Sequence, residues 1–215
     1  IGESAQIGLL HVATAEQRLL YDLPEASVYG PGVGAASFSP TADSVVFIHG
    51  LQGANAQEPY SITRRTAVAV DLNCPMRAVP LDGRDLEAPY TAGTLRGGTH
   101  SHAWDCSGKL LSFTYNDALV EPELRMVGVM IPADGSIGAN EIEIQGSMYA
   151  ALVSEVHAAP QAGTDEISKA FDECWLGDKS VIAFQGNTLN TAGESITEIY
   201  TVAIDQQLIK EDLGA

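Results

Sequence analysis

A chain of 215 residues with 45% apolar side chains can bury one sizeable core and is too apolar to be disordered. Its 28 acidic against 11 basic residues give a formal charge of −17, which repels phosphate backbones and anionic bilayers and argues against nucleic-acid and membrane partners. No apolar run reaches the roughly 18 residues of a membrane span.

Cys74, Cys106 and Cys174 stand far apart with no CxxC pair. Free thiols in a reducing, cytoplasmic compartment are expected, with one disulfide and a spare thiol as the alternative, and a structural zinc site is not. The opening residues IGESAQIGLL carry no Met and no basic leader, so the natural N-terminus is expected further upstream, which keeps a periplasmic location open. Ile7 to Ala13 and Arg18 to Asp22 are predicted to form a hairpin. Gly30-Pro31-Gly32-Val33-Gly34 is no phosphate loop, because no helix follows it. A short strand from Ala35 to Phe38, a turn from Ser39 to Asp43 and a strand from Ser44 to His49 come next. Strands are expected at Arg65 to Asp71 and Arg77 to Leu81, with loops at Leu51 to Ser61 and Gly83 to Gly93.

The stretch LRGGTHSHAWDCSGKLLSFTYND organises the middle of the chain. Thr99 to Trp104 and Leu110 to Tyr115 form a hairpin, with Gly108 supplying the positive φ of its turn. Strict strand alternation puts His100 and His102 on one face, behind a flexible Gly97-Gly98 pair. Met126 to Ile131 is apolar and short, as in a strand buried on both faces. Glu141 to Gln145 is ambiguous, and Met148 to Val156 reads as a strand opening a new unit. Thr164 to Glu173 is predicted as the one clear helix, capped by Thr164 or Asp165, with Ile167, Ala170 and Phe171 on one face. Lys179 to Gln185 and Glu198 to Asp205 are strands, and Gln206 to Ala215 is weakly helical.

An aromatic residue, a tight polar turn and an apolar strand recur three times. The units begin at Phe38, Trp104 and Trp175, which are 66 and 71 residues apart. A four-stranded blade needs about 40–45 residues, so these would be propeller blades with long inserted loops. The near absence of helical patterning excludes a βαβ sheet, and a two-sheet sandwich is the competing architecture.

SFSPTADSVVF and AWDCSGKLLSF resemble the WD40-like repeat of TolB-type propellers. VVFIHG, YSITRR, APYTAGTLRGGTHSHAW, LSFTYND and GTDEISKAFDECWLGD are similar, in that order, to a bacterial family of uncharacterised TolB-like propellers typified by YidR. The resemblance implies an all-β propeller of which this chain holds three to four blades. The expected units are an incomplete blade at 1–33, blades at 34–93 and 94–146, and a blade at 147–215 with a helical insertion at 164–173. It also implies that the missing blades come from a segment outside this chain or from another chain. The family places a His where Met148 stands.

On such a fold the inner strands line a channel and ligands bind at its mouth. His49, His100 and His102, from neighbouring blades, are the candidate ligands for a divalent metal such as Mn, Zn or Fe. The oligogalacturonate lyases, on a related propeller, bind a metal through histidines in this way. Arg64, Arg65 and Arg96 are candidates to bind a carboxylate or phosphate. Asp117 and Tyr115 are the candidates for proton transfer. The leading expectation is a propeller that binds a small molecule or peptide at the channel mouth. The alternatives are a metal-dependent lyase or hydrolase acting on an acidic sugar-like substrate, and a protein-interaction scaffold.

Overall fold

The strand-rich pattern folds into four antiparallel sheets and no barrel. The structure is a computed structural model that describes residues 5–23, 29, 32–50, 56, 57, 59–120, 123–137 and 144–214. The first sheet is the hairpin of β1 (Gln6–His11) and β2 (Glu16–Asp22). The second runs in chain order through β3 (Val33–Phe38), β4 (Ser44–His49), β5 (Thr66–Asp71) and β6 (Ala78–Pro80). The third runs through β7 (Gly98–Trp104), β8 (Leu111–Asn116), β9 (Arg125–Ile137) and β10 (Gly146–Leu152). The fourth holds β11 (Lys169–Trp175), β12 (Val181–Leu189) and β13 (Ser195–Ala203), followed by helix α1 (Gln206–Leu213).

Each sheet packs face-on against the next, as the blades of a propeller do. Ile7, Leu20, Val45, Phe47, Val68 and Val70 fill the space between the first two sheets. Val46, Ala67, Leu111, Phe113, Tyr115 and Met130 fill the second interface. Val127, Val129, Ile131, Ala170, Ile182 and Phe184 fill the third. Neighbouring residues of one strand serve different interfaces: Val45 and Phe47 face backward while Val46 faces forward. Each such side chain, fully buried, contributes about 1.5–3 kcal/mol. Burial on both faces therefore holds the sheets in line.

The first strand of each later sheet stands next to its counterparts, with β7 packed against β3 on one side and β11 on the other. All three carry the same irregularity. In β3 the pairing steps from Gly34↔Ile48 to Ser37↔Val46, in β7 from His100↔Thr114 to Ala103↔Ser112, and in β11 from Phe171↔Gln185 to Cys174↔Ala183. One extra residue is accommodated each time, a β-bulge. Ala35, Ser101 and Asp172 take the left-handed conformation there, at φ 52°, 59° and 52°. Each sits three residues before the aromatic of its repeat, Phe38, Trp104 or Trp175. The repeat seen in sequence is thus a repeat of backbone geometry.

That bulge explains the main correction. Residues 164–173 are not a helix: the chain is irregular up to Ser168, and Lys169–Trp175 is strand β11. The extra residue puts the buried Ala170 and Glu173 three apart, a spacing that imitates a helix face. The weak helical signal at the C-terminus is the real helix, capped by Asp205, whose carboxylate accepts from the N–H groups of Gln207 and Leu208. The segment Gly146–Leu152 is a strand, but it closes the third sheet instead of opening the fourth, so the unit boundary at 146/147 falls after Leu152. Most of Glu141–Gln145, together with Gly30 and Pro31, lies outside the described residues.

Ala35 is exposed, so its left-handed backbone can be tested without disturbing the core. Ala35→Val should lower the unfolding free energy by roughly 1–3 kcal/mol in urea denaturation, and Ala35→Gly should leave it unchanged or raise it.

Candidate functional site

Antiparallel order sorts the connections between strands onto two rims. Tight turns occupy one: Ser39–Asp43, Asp105–Lys109 and Leu176–Ser180. The long connections 50–65, 81–97, 117–124 and 153–168 all emerge at the other. Every site residue expected from sequence belongs to this loop rim or to the strand ends just beneath it.

Gly97 and Gly98 deliver the chain from the rim into β7, and they do so by close contact. A Cβ on Gly97 would collide with the Asn116 carbonyl, and one on Gly98 with the Ile62 carbonyl. The pair is required for tight packing, and the expectation of a flexible hinge is corrected.

His100 and His102 do not share a face in the simple sense. His100 pairs with Thr114 and Ala103 with Ser112, so His100 and Ala103 lie on one side and the bulge breaks the alternation. Both imidazoles are buried, and none of their ring nitrogens has a hydrogen-bond partner. Burial, with the charges of Arg125 and Arg65, holds His100 down at about 3. Burial, with His100 nearby, holds His102 at about 3. Both rings are neutral at physiological pH. His49 instead joins two sheets: its Nε2 meets the Tyr21 hydroxyl at 3.0 Å, and burial lowers its pKa. Among the described residues, no three His, Cys, Asp or Glu side chains come together as a metal-binding group. The structure does not assemble His49, His100 and His102 into such a set. Met148 is core, 5% exposed between the second and third sheets.

Asp117 is a turn former and an anchor. Its Oδ1 accepts from the N–H groups of Leu119 and Val120, at 2.7 and 3.1 Å, and its Oδ2 from Arg96 Nη2, at 2.7 Å. Burial pushes its carboxyl up, but these donors together hold it below the usual range. Tyr115 gives its hydroxyl to Asp117 Oδ2 and accepts the Arg96 N–H. Burial and the Asp117 charge push the phenol up to about 12, so it stays protonated. The Arg96 guanidinium also lies over the Tyr90 ring, 5.0 Å from its centroid. Arg65 gives its Nε–H to the Tyr60 hydroxyl at 2.6 Å and stacks on that ring.

Sequence reading missed the buried pair Asp82–Arg84, where the strand expected to end at Leu81 gives way to the loop expected from Gly83. Arg84 is 3% exposed and Asp82 0%. Their charged ends meet at 3.1 Å. Arg84 also donates to the carbonyls of Thr63 and Arg65, and Asp82 accepts from the Ala67 N–H. Burial outweighs Arg84 and raises the Asp82 carboxyl. The pair clamps the connection carrying Arg64 and Arg65 to the one carrying Arg96. An arginine between two acids, DGRD, in a chain poor in cations, was the available signal.

Two cavities open at this rim. A small one of about 180 Å³ is lined by Ser61, Thr63, Arg64, Arg84 and Ala118. A larger one of about 490 Å³ has Tyr90, Arg96, Tyr115 and Asp117 on its walls and Ala150 and Leu152 among its apolar lining. Of seven arginines in the sequence, Arg64, Arg65, Arg84, Arg96 and Arg125 gather here. The rim thus holds most of the arginines of an otherwise acidic chain.

Comparison with known proteins adds kinship without an activity. The family described as "Protein of unknown function (DUF3748)" matches residues 32–142. The chain is similar to the uncharacterized protein YidR of Escherichia coli strain K12, with 34% identity over 205 residues. That match covers 92% of this chain and 47% of the relative, so the chain spans about half the length of the protein it resembles. No helix among the described residues is long and apolar enough to cross a membrane.

Removing one partner of the buried pair strands the other in a dry site. Arg84→Met should destabilise the protein by about 3–5 kcal/mol, and the double variant Asp82→Leu/Arg84→Met by less. Urea denaturation of the two variants and the wild type measures both.

Proposed function

The chain belongs to the DUF3748 family of proteins of unknown function, and we propose that it is a binding propeller whose loop rim takes a small anionic molecule or the acidic end of a peptide. The observation that carries this reading is the gathering of five of seven arginines at one rim of a chain of net charge −17. Two of the five are held by buried carboxylates, Arg84 by Asp82 and Arg96 by Asp117. Guanidinium groups recognise planar and tetrahedral oxyanions bidentately, and a site partly shielded from water strengthens that attraction.

The arginines are also held ready. Tyr60 orients Arg65, Tyr90 and Asp117 orient Arg96, and the Asp82–Arg84 clamp fixes the backbone between them. Preorganisation of this kind lowers the ordering cost of binding. The open edge of β13, in a sheet of three strands beside two sheets of four, is where a further strand would add.

Thermal-shift measurements with sulfate, citrate and glutarate test the reading. At least one should raise the melting temperature, with the effect lost in Arg64→Ala/Arg65→Ala and reduced about tenfold in affinity in Arg96→Ala. Arg18→Ala, on β2 of the first sheet, should bind like the wild type. Equal loss in Arg18→Ala, or no shift with any of the three, refutes the site.

A further inference from the structure

Between β7, β8, β9 and β11, just below the rim, lies a second polar group that shares only Arg125 with the arginine site. Glu173 on β11 is 7% exposed, and its Oε2 accepts the Thr114 hydroxyl at 2.5 Å. Thr114 on β8 is the cross-strand partner of His100 on β7, so the imidazole and the carboxyl flank one hydroxyl. Arg125, at the start of β9, is close enough to influence the charge of both. Glu173 Oε1, Arg125 Nε and both ring nitrogens of His100 are buried without hydrogen-bond partners. Four such atoms in one place are far from the rule for native interiors, where each buried polar atom finds a partner. Apolar residues of the same shape would cost nothing, so their presence points to use.

We propose that Glu173, Thr114, His100 and Arg125 form an internal proton-binding site linked to the anion site above it, so that a proton and an anion bind together. The coupling rests on the arginine-rim reading, whereas the proton site stands on its own geometry. The link is Arg125. An ionised Glu173 uses the charge of Arg125, and an anion at the rim competes for that charge. Anion binding then favours the neutral carboxyl, and by reciprocity the proton favours the anion. In the proton step, Glu173 carboxylate takes one proton from solvent to become the carboxylic acid, and no other bond changes.

The charged and titratable surroundings agree from each side. His100 on β7 is neutral, Thr114 on β8 donates, and Arg125 on β9 and Arg65 near η1 (Ile62–Arg64) are the cations. Asp172 on β11 itself adds a repelling negative charge. Burial raises Glu173 to about 7, with Thr114 pulling it down and Asp172 adding to the rise. Because the folded-state pKa lies above the unfolded value, the site's contribution to stability is complete below the unfolded pKa near 4.5 and is lost as pH rises through about 7.

Infrared spectroscopy of glutamate-labelled protein, with calorimetry of sulfate binding, decides the matter. A carboxylic-acid band titrating near pH 7, absent in Glu173→Gln, is expected, with sulfate moving its midpoint upward. Thr114→Val, which keeps the packing and removes the donor, should move it upward without sulfate. If the band is missing from the wild type above pH 5, or Thr114→Val leaves its midpoint unmoved, the proton site is overturned. If the band titrates and sulfate binds without shifting it, the coupling is overturned. If sulfate gives no arginine-dependent heat, the rim reading falls and the coupling with it.

Discussion

One extra residue in each inner strand is the constraint on which this molecule turns. A regular strand presents alternate side chains to opposite faces. The bulges at Ala35, Ser101 and Asp172 interrupt that alternation at the same depth in three consecutive sheets. Each costs roughly 1–2 kcal/mol of left-handed backbone at a non-glycine residue. Three such costs, at equivalent places, persist because the surrounding packing fixes them. The benefit is directional. Before the bulge, His100 shares the face of Thr114. After it, Trp104 packs toward the second sheet. On β11 the same device buries Glu173 while Trp175 reaches back to give its indole N–H to the Ala103 carbonyl. On β7 and β11 the bulges therefore go with a buried polar group, His100 or Glu173, and a tryptophan packed toward a neighbouring sheet.

Charge is distributed with the same economy. The acids lie mostly on exposed faces, where water solvates them. Among the described residues the buried exceptions are Asp82, Asp85 and Asp117 at the rim and Glu173 deeper in β11. Asp85 accepts from the Thr91 N–H and hydroxyl, and so shapes the connection that presents Tyr90 and Arg96. A buried carboxylate without donors would be unstable by several kcal/mol. Asp82 and Asp117 have donors from backbone and arginine and Asp85 from Thr91, whereas Glu173 keeps a buried oxygen, Oε1, without a donor.

Much of this was legible before any coordinates. Ser44–His49 is a strand with the expected ends, and the hairpin around Asp105–Gly108 folds as read, with Gly108 at φ 68°. The recurring aromatic, turn and strand located the inner strands because that unit is local in sequence. What escaped was non-local or broke a period. The residues 164–173 imitate a helix because a bulge moves burial from every second to every third position. His100 and His102 were placed on one face for the same reason. The glycines at 97 and 98 looked like freedom, yet the backbone of another connection presses on each. The Asp82–Arg84 clamp joins partners two residues apart, but its purpose lies in carbonyls some 20 residues away, which no local pattern reveals. The family resemblance, in turn, gave kin and architecture, and left the chemistry to the geometry.

The three free cysteines are all exposed. Cys74 follows β5, Cys106 sits in the β7–β8 turn, and Cys174 is the penultimate residue of β11, so all three lie toward the tight-turn side, away from the loop rim. Nature has thereby left a set of chemical handles at the tight-turn ends of three successive sheets. A thiol-reactive surface would catch the molecule by its base and leave the long connections facing the solution. That orientation suits a sensor chip, on which a dissolved molecule meets the loop rim first and the linker never competes with it.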